Sequence, residues 1–183
     1  MALLREDALA GRRIAVAGGA RPAIADALER IGASTLQLDL DGLDDERAER
    51  WAGSASPLHG FVYDSAAAFG TGGQAGMQAA IDSGWPAIRG VAAGALIPAG
   101  AGGTNVLIAP AADAGPNVEA TRSALENLAR TLSIEWARYQ ITTTMLAPGR
   151  QTTDADLASV VAFLLSPGGA YFSGCRLELD AVA

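Results

Sequence analysis

The sequence contains no lysine: all 13 basic residues among its 183 are arginine. Schiff-base chemistry and lysine-assisted proton transfer are therefore excluded. One cysteine (Cys175) and one histidine (His59) cannot supply a disulfide framework, a zinc site or a cysteine–histidine dyad. Positive charge is in deficit, 13 cations against 20 acids, for a formal charge of −7 and a pI near 4.6. A general affinity for phosphate backbones is not expected, because counterion release needs clustered cations. No apolar run reaches about 18 residues without a charge or a breaker, so no membrane span is expected. The first residues, MALLREDALAGRR, carry acids and lack an apolar signal core. A soluble, cytoplasmic protein is the expectation. Aromatic residues make up only 5%.

What is present is a chain that is half hydrophobic, with 22 glycines, long enough to bury a core as one domain over 1–183. RIAVA (13–17) is a short β-rich run that gives way to Gly18-Gly19 and then to the helical pattern PAIADALERIG, the opening of a βα unit. Pro22 fits the first turn of that helix, and Gly32 its end. STLQLDL (34–40), GFVYD (60–64), TNVLIAP (104–110), ITTTMLAP (141–148) and CRLELD (175–180) read as further strands. Helices are expected over Asp44–Trp51, over 74–97 with an interruption near Gly84 and Pro86, over Asn117–Tyr139, and over Thr152–Leu165. In the longest, Val118, Thr121, Leu125, Leu128, Leu132 and Trp136 form an apolar stripe of 3.6-residue period. Arg122–Glu126 and Glu126–Arg130 are spaced as i,i+4 pairs. Strands alternate with helices, so the predicted class is α/β, a parallel sheet covered on both faces.

SALENLARTLSIEWARYQITTTMLAPG (123–149) resembles the active-site helix and following strand of short-chain dehydrogenases/reductases. VVAFLLSPGGAYFSGCRLELD (160–180) is similar to that family's C-terminal helix, turn and last strand, and TNVLIA, GFVYDSA and RIAVAGGA follow the family's order. The resemblance implies a Rossmann-type doubly wound, mostly parallel sheet of about six strands. One strand–helix unit between Asp39 and Gly60 is then missing, as is the substrate lid after Pro148-Gly149.

The resemblance also implies where a site would be. The family's glycine-rich turn falls on Ala17–Ile24, where Gly18 is kept but Pro22 and Ile24 replace glycines that let a diphosphate approach. Gly18, Gly19 and Asp39 are the cofactor-binding candidates, as a vestige; Asp39 closes the second strand, where an acid contacts a ribose hydroxyl. The family's catalytic serine falls in Ala109-Pro110-Ala111-Ala112, its tyrosine on Val118 and its lysine on Arg122. A valine methyl transfers no proton, so no catalytic residue and no metal site is expected. Arginine at the lysine position also occurs in halohydrin dehalogenases, which need the serine and tyrosine too. Taken alone, Arg122 reads as a surface cation paired with Glu126. Tyr63 reads as a half-buried strand-end tyrosine, or a filler of the crevice, and Asp82 as a helix-surface carboxylate. Tyr139 lies roughly 30 Å along the helix from Val118 at about 1.5 Å per residue. His59 lies at the far end of its strand, roughly 16 Å from the crevice at about 3.3 Å per residue.

These readings imply a non-catalytic subunit that pairs, as a heterodimer or α2β2 tetramer, with a catalytically intact paralogue. The contacts expected are the 117–139 helix and the 160–180 region, with NAD(P) held in the partner and none in this chain. The alternatives are an atypical NAD(P)-dependent oxidoreductase with displaced chemistry, or a nucleotide- or metabolite-binding protein.

Overall fold

The computed structural model describes residues 4–18 and 21–179. In chain order the elements are β1 (Arg13–Ala17), α1 (Pro22–Arg30), β2 (Ser34–Leu38), α2 (Asp45–Ala55), β3 (Gly60–Asp64), α3 (Ala66–Phe69) and α4 (Gly73–Val91). A π-helical stretch, Ala92–Leu96, then leads into α5 (Ile97–Ala99). They are followed by β4 (Gly103–Ile108), α6 (Val118–Glu135), β5 (Ile141–Pro148), α7 (Asp154–Leu165) and β6 (Arg176–Leu179).

The six strands form one parallel sheet in the order β2-β1-β3-β4-β5-β6. Each crossover needs a covering element, and the alternation of strands with helices supplies it. Ile14, Val16, Val62, Val106, Ile108 and Leu146 point to one face, where α1 and α7 cover them with Ile24, Leu28, Leu157 and Val161. The alternate residues Ala15, Phe61, Tyr63, Leu107 and Met145 point to the other, against Ala52 of α2, Ile88 of α4 and Leu125 of α6. The strands are apolar on both faces, as a sheet covered twice requires. From β1 the chain steps outward to β2 and returns to the far side of β1 as β3. The direction of winding therefore reverses between β1 and β3, and a crevice opens at the carboxyl ends of those strands.

The two segments expected to be short are short: α2 alone connects β2 to β3, and residues 149–153 alone connect β5 to α7. Thr153 starts α7 with a capping box, its hydroxyl accepting the Asp156 N–H while the Asp156 carboxylate accepts the Thr153 N–H.

Several boundaries differ from the sequence expectation. α2 runs on to Ala55, four residues past Trp51, because Ala48, Ala52 and Ala55 continue its buried stripe. The interruption expected near Gly84 and Pro86 is absent, and α4 runs through both. Gly84 serves close approach there: a Cβ on it would lie 2.7 Å from the Tyr63 ring. α6 ends at Glu135, and a 3-10 turn, Ala137–Tyr139, takes up the remainder.

Candidate functional site

The crevice between the carboxyl ends of β1 and β3 is where this topology receives ligands. Among the described residues, the end of β1 with Gly18, Arg21 before α1, the end of β3 with α3, and the first turn of α7 meet there. Its centre is filled by the chain itself. Asp64, the last residue of β3, is fully buried, and its Oδ2 accepts a hydrogen bond from Arg21 Nη1 at 2.8 Å. Its Oδ1 accepts the Ala66 N–H at 3.0 Å. Arg21 reaches across from the β1–α1 turn with a side chain 15% exposed. Its Nε lies 3.2 Å from Asp154 Oδ1 in the first turn of α7. Burial pushes the Asp64 carboxyl above the ordinary carboxylate range, and Arg21 opposes that shift.

Gly18 has φ +76°, and a Cβ on it would lie 2.0 Å from the Asp64 carbonyl oxygen. Glycine is therefore required because β1 turns directly against the backbone of β3. Gly19 lies outside the described residues. Asp39 lies just past the end of β2 rather than in it, its Oδ1 accepting the Asp41 N–H at 3.0 Å. It lines a cavity of about 650 Å³ together with Gly18, Leu38, Asp41, Ala68 and Ser83.

The remaining candidates are placed as follows. Tyr63 is fully buried rather than half-buried. It points into the α4 side of the core, not over the crevice, and its hydroxyl donates to the Ala80 carbonyl at 2.6 Å and meets Ser83 Oγ at 2.9 Å. Burial raises the phenol to about 12, with the Ser83 bond and Asp64 as smaller influences. Arg122 is buried, not a surface cation, and it does not pair with Glu126. Its Nη2 lies 2.9 Å from Glu178 Oε2 on β6, and its Nη1 lies 3.4 Å from Glu119 Oε1. Arg176 extends this network to Glu119, Glu126 and Glu178, so the charges lace α6 to the edge strand. Glu126 does pair with Arg130 as expected, at 2.7 Å. Asp82 is exposed and accepts from Gln78 Nε2. His59 precedes β3 at the opposite edge of the sheet, its Nδ1 accepting the Arg13 N–H at 3.0 Å. Burial and the neighbouring Arg12 hold it below 6.5.

Hydroxyls near the carboxyl edge are engaged by backbone. Ser65 Oγ donates to the Ile108 carbonyl at 2.8 Å. Thr152 Oγ1 accepts the Gly149 N–H and donates to the Leu179 carbonyl. β4 ends in buried Ala109 and then Pro110, and Val118 begins α6. Among the described residues, no group of three or more His, Cys, Asp or Glu side chains is placed to hold a metal ion. No helix among them is long and apolar enough to cross a membrane.

The chain is similar over nearly its whole length to solved dehydrogenase structures. The citronellol catabolism dehydrogenase of Pseudomonas aeruginosa superposes with a TM-score of 0.78 at 20% identity, covering 98% of each chain. A hydroxysteroid dehydrogenase from Escherichia coli gives 0.76 at 16% identity, over 98% of this chain and 100% of that one. A short-chain dehydrogenase/reductase from Serratia marcescens gives 0.77 at 21% identity, over 94% and 97%. This chain has the short-chain dehydrogenase/reductase fold. No protein-family model and no curated protein sequence matches it.

Proteins of this fold can hold a nicotinamide dinucleotide at the crevice just described, so the residues here can be tested against that group. The cavity beside Asp39 has room for an adenosine-sized body. The place beside Gly18 does not fit a diphosphate: among the described residues its cation, Arg21, is already taken by two carboxylates, Asp64 and Asp154, and Gly18 itself lies against the Asp64 backbone. The pairing of Arg21 with Asp64 is not apparent in the sequence pattern. The available signal was a lone acid ending an otherwise uncharged strand, and an arginine directly after the glycine turn.

Proposed function

We propose that the chain is a non-catalytic subunit with a short-chain dehydrogenase/reductase fold. It pairs with a catalytically intact paralogue as a heterodimer or α2β2 tetramer in the cytoplasm, and the paralogue holds NAD(P) and performs the redox step. The observation that carries this reading is the distribution of exposed apolar side chains. Among the described residues the large ones are Trp85 on α4 (42% exposed), Ile134 near the end of α6 (77%) and Tyr171 in the turn before β6 (93%). α4 and α6 pack side by side, and the exposed positions of α6 include Ala120, Ser123, Asn127 and Thr131 together with the charged Glu119, Arg130 and Glu135. Short side chains beside the exposed Ile134 on α6, with Trp85 exposed on the neighbouring α4, suit a helix-on-helix contact, since aromatic residues are enriched at the centres of interfaces. Val118 and Ala109-Pro110 offer no group to donate a proton, and Arg122 is held inward by two glutamates.

Co-expression of the tagged chain with paralogues that carry the family's tyrosine and lysine tests the proposal. The expected result is a stoichiometric complex whose partner loses activity or solubility when expressed alone. Purification of this chain only as a homomer, beside a partner fully active by itself, would contradict it.

A second reading rests on the cavity beside Asp39. That cavity suits a nucleoside-sized metabolite with vicinal hydroxyls facing the carboxylate, and a saturable rise in melting temperature with adenosine would favour it.

A further inference from the structure

The amino edge of the sheet carries a second cavity, at the opposite end from the crevice. It encloses about 530 Å³ across the starts of β4 and β5, walled by the end of α6, the end of α7 and the turn before β6. That volume lies within the span of about 300–1,000 Å³ usual for small-ligand sites. Its lining holds one cation, Arg12, and no acid, in a chain whose formal charge is −7. Arg21, Arg50, Arg89, Arg122, Arg130 and Arg176 are held in ion pairs among the described residues, and the half-buried Arg12 is not.

The hydrogen bonds along this wall leave donors over. The carbonyls that end α6 are spent: Leu132 accepts the Trp136 N–H, Trp136 accepts those of Tyr139 and Ile141, and Ala137 accepts that of Gln140. The Gln140 carbonyl in turn accepts the Gly103 N–H. By contrast, the N–H groups of Ala101, Gly102 and Ser173 donate to nothing among the described residues, although Gly102 is buried. Thr104 Oγ1 accepts from Thr142 Oγ1 at 3.3 Å, and Ser173 Oγ accepts the Thr143 N–H at 3.3 Å, which leaves both of those hydroxyl protons unspent. A buried N–H without an acceptor, beside an unpaired guanidinium, calls for an anion. The remaining wall is apolar, with Leu165, Pro167 and Ala170 from the end of α7 and the turn after it, and Ala137 and Ile141 from the approach to β5.

We infer that this cavity binds a monocarboxylate with an apolar body of medium length, its carboxylate drawn to Arg12 and the unspent donors and its hydrocarbon lying along Leu165, Pro167 and Ile141. One guanidinium matches one negative charge and presents a fork suited to a carboxylate. A phosphate dianion would ask for a second cation, which the lining lacks. The site is remote from the crevice, and the inference does not rest on the partner role.

The test uses the full chain with sodium octanoate as probe, against sodium chloride at equal ionic strength, octan-1-ol and inorganic phosphate. The melting temperature is expected to rise and saturate with octanoate and to stay flat with the other three. The Gly102 and Ser173 amide resonances should shift along the same saturation curve, while that of Asp41, beside the crevice, stays still. Arg12→Gln should raise the Kd by about tenfold or more, the loss of one charge-assisted contact. Ala170→Trp, at an exposed position on the wall, should fill the cavity and abolish the response. The absence of a saturable response in the wild type would overturn the inference. So would an equal response to octan-1-ol or phosphate, a Kd unchanged in Arg12→Gln, or binding that survives Ala170→Trp. If neither variant folds, the wild-type amide shifts decide, and shifts confined to the crevice would place octanoate elsewhere and refute the assignment.

Discussion

Arg21→Ala isolates the clasp at the crevice. The substitution leaves Asp64 fully buried with one donor, the Ala66 N–H, where it had two. Stranding a buried charge costs about 3–5 kcal/mol when no water enters. Arg21 is 15% exposed and Asp154 is exposed, so water reaches the vacated space and the expected loss is about 2–4 kcal/mol. For a chain of this size each kcal/mol lowers the melting temperature by roughly 2–4 °C. Asp64→Asn leaves a guanidinium that still has Asp154 and solvent, and costs less, about 1–2 kcal/mol. The double variant should be more stable than Arg21→Ala alone. The pH dependence has a definite sign. Because burial raises the folded carboxyl above its unfolded value, Asp64 favours the folded state most at acid pH, and that contribution is lost as pH rises through the raised value. Without Arg21 the folded value rises further. The Arg21→Ala deficit is then largest at neutral pH and narrows as pH falls toward the carboxylate range. Urea denaturation at pH 7 and at pH 4.5 reads both effects. A deficit below about 1 kcal/mol at pH 7, or one unchanged at pH 4.5, would refute the reasoning.

Three further outcomes follow from the packing. Gly84→Ala forces a methyl against the Tyr63 ring and should cost about 1–3 kcal/mol in denaturant melts, despite alanine's better helix propensity. Thr153→Ala removes the hydroxyl that caps α7 and should cost about 0.5–2 kcal/mol, with Asp156 returning toward an ordinary carboxylate value. Of the three tyrosines, Tyr63 should resist ionisation in ultraviolet titration until about pH 12, beyond the ordinary value of 10. Its contribution to stability is present below pH 10 and lost as pH approaches 12; ionisation of Tyr63 near 10 in the folded chain, assigned by its loss in Tyr63→Phe, would contradict its burial.

Local patterning made most of the architecture legible. β3, with no charge before Asp64, and β5, opening with ITTTML, read as doubly covered strands from their own residues, and α6 as a helix from its 3.6-residue stripe. Periodicity does not report which distant side chain neutralises a charge. Arg122 reads as a partner of Glu126 four residues away, yet its acceptor Glu178 lies 56 residues on, brought close by the pairing of β6 with β5. Arg21 and Asp64, 43 residues apart, meet only because β1 and β3 are adjacent in the sheet. Gly84 and Pro86 read as breakers because the ring that Gly84 accommodates belongs to another element. Asp39 was visible from the resemblance, through its place at the end of the second strand, and the structure sets a cavity beside it.

The most direct measurement is turnover of NAD(P) with a panel of secondary alcohols by the purified chain, free of any co-purifying dehydrogenase. The account predicts no alcohol-dependent reduction above the protein-free rate, with activity appearing only when an intact paralogue is added. Reduction by this chain alone, scaling with its concentration, would contradict it.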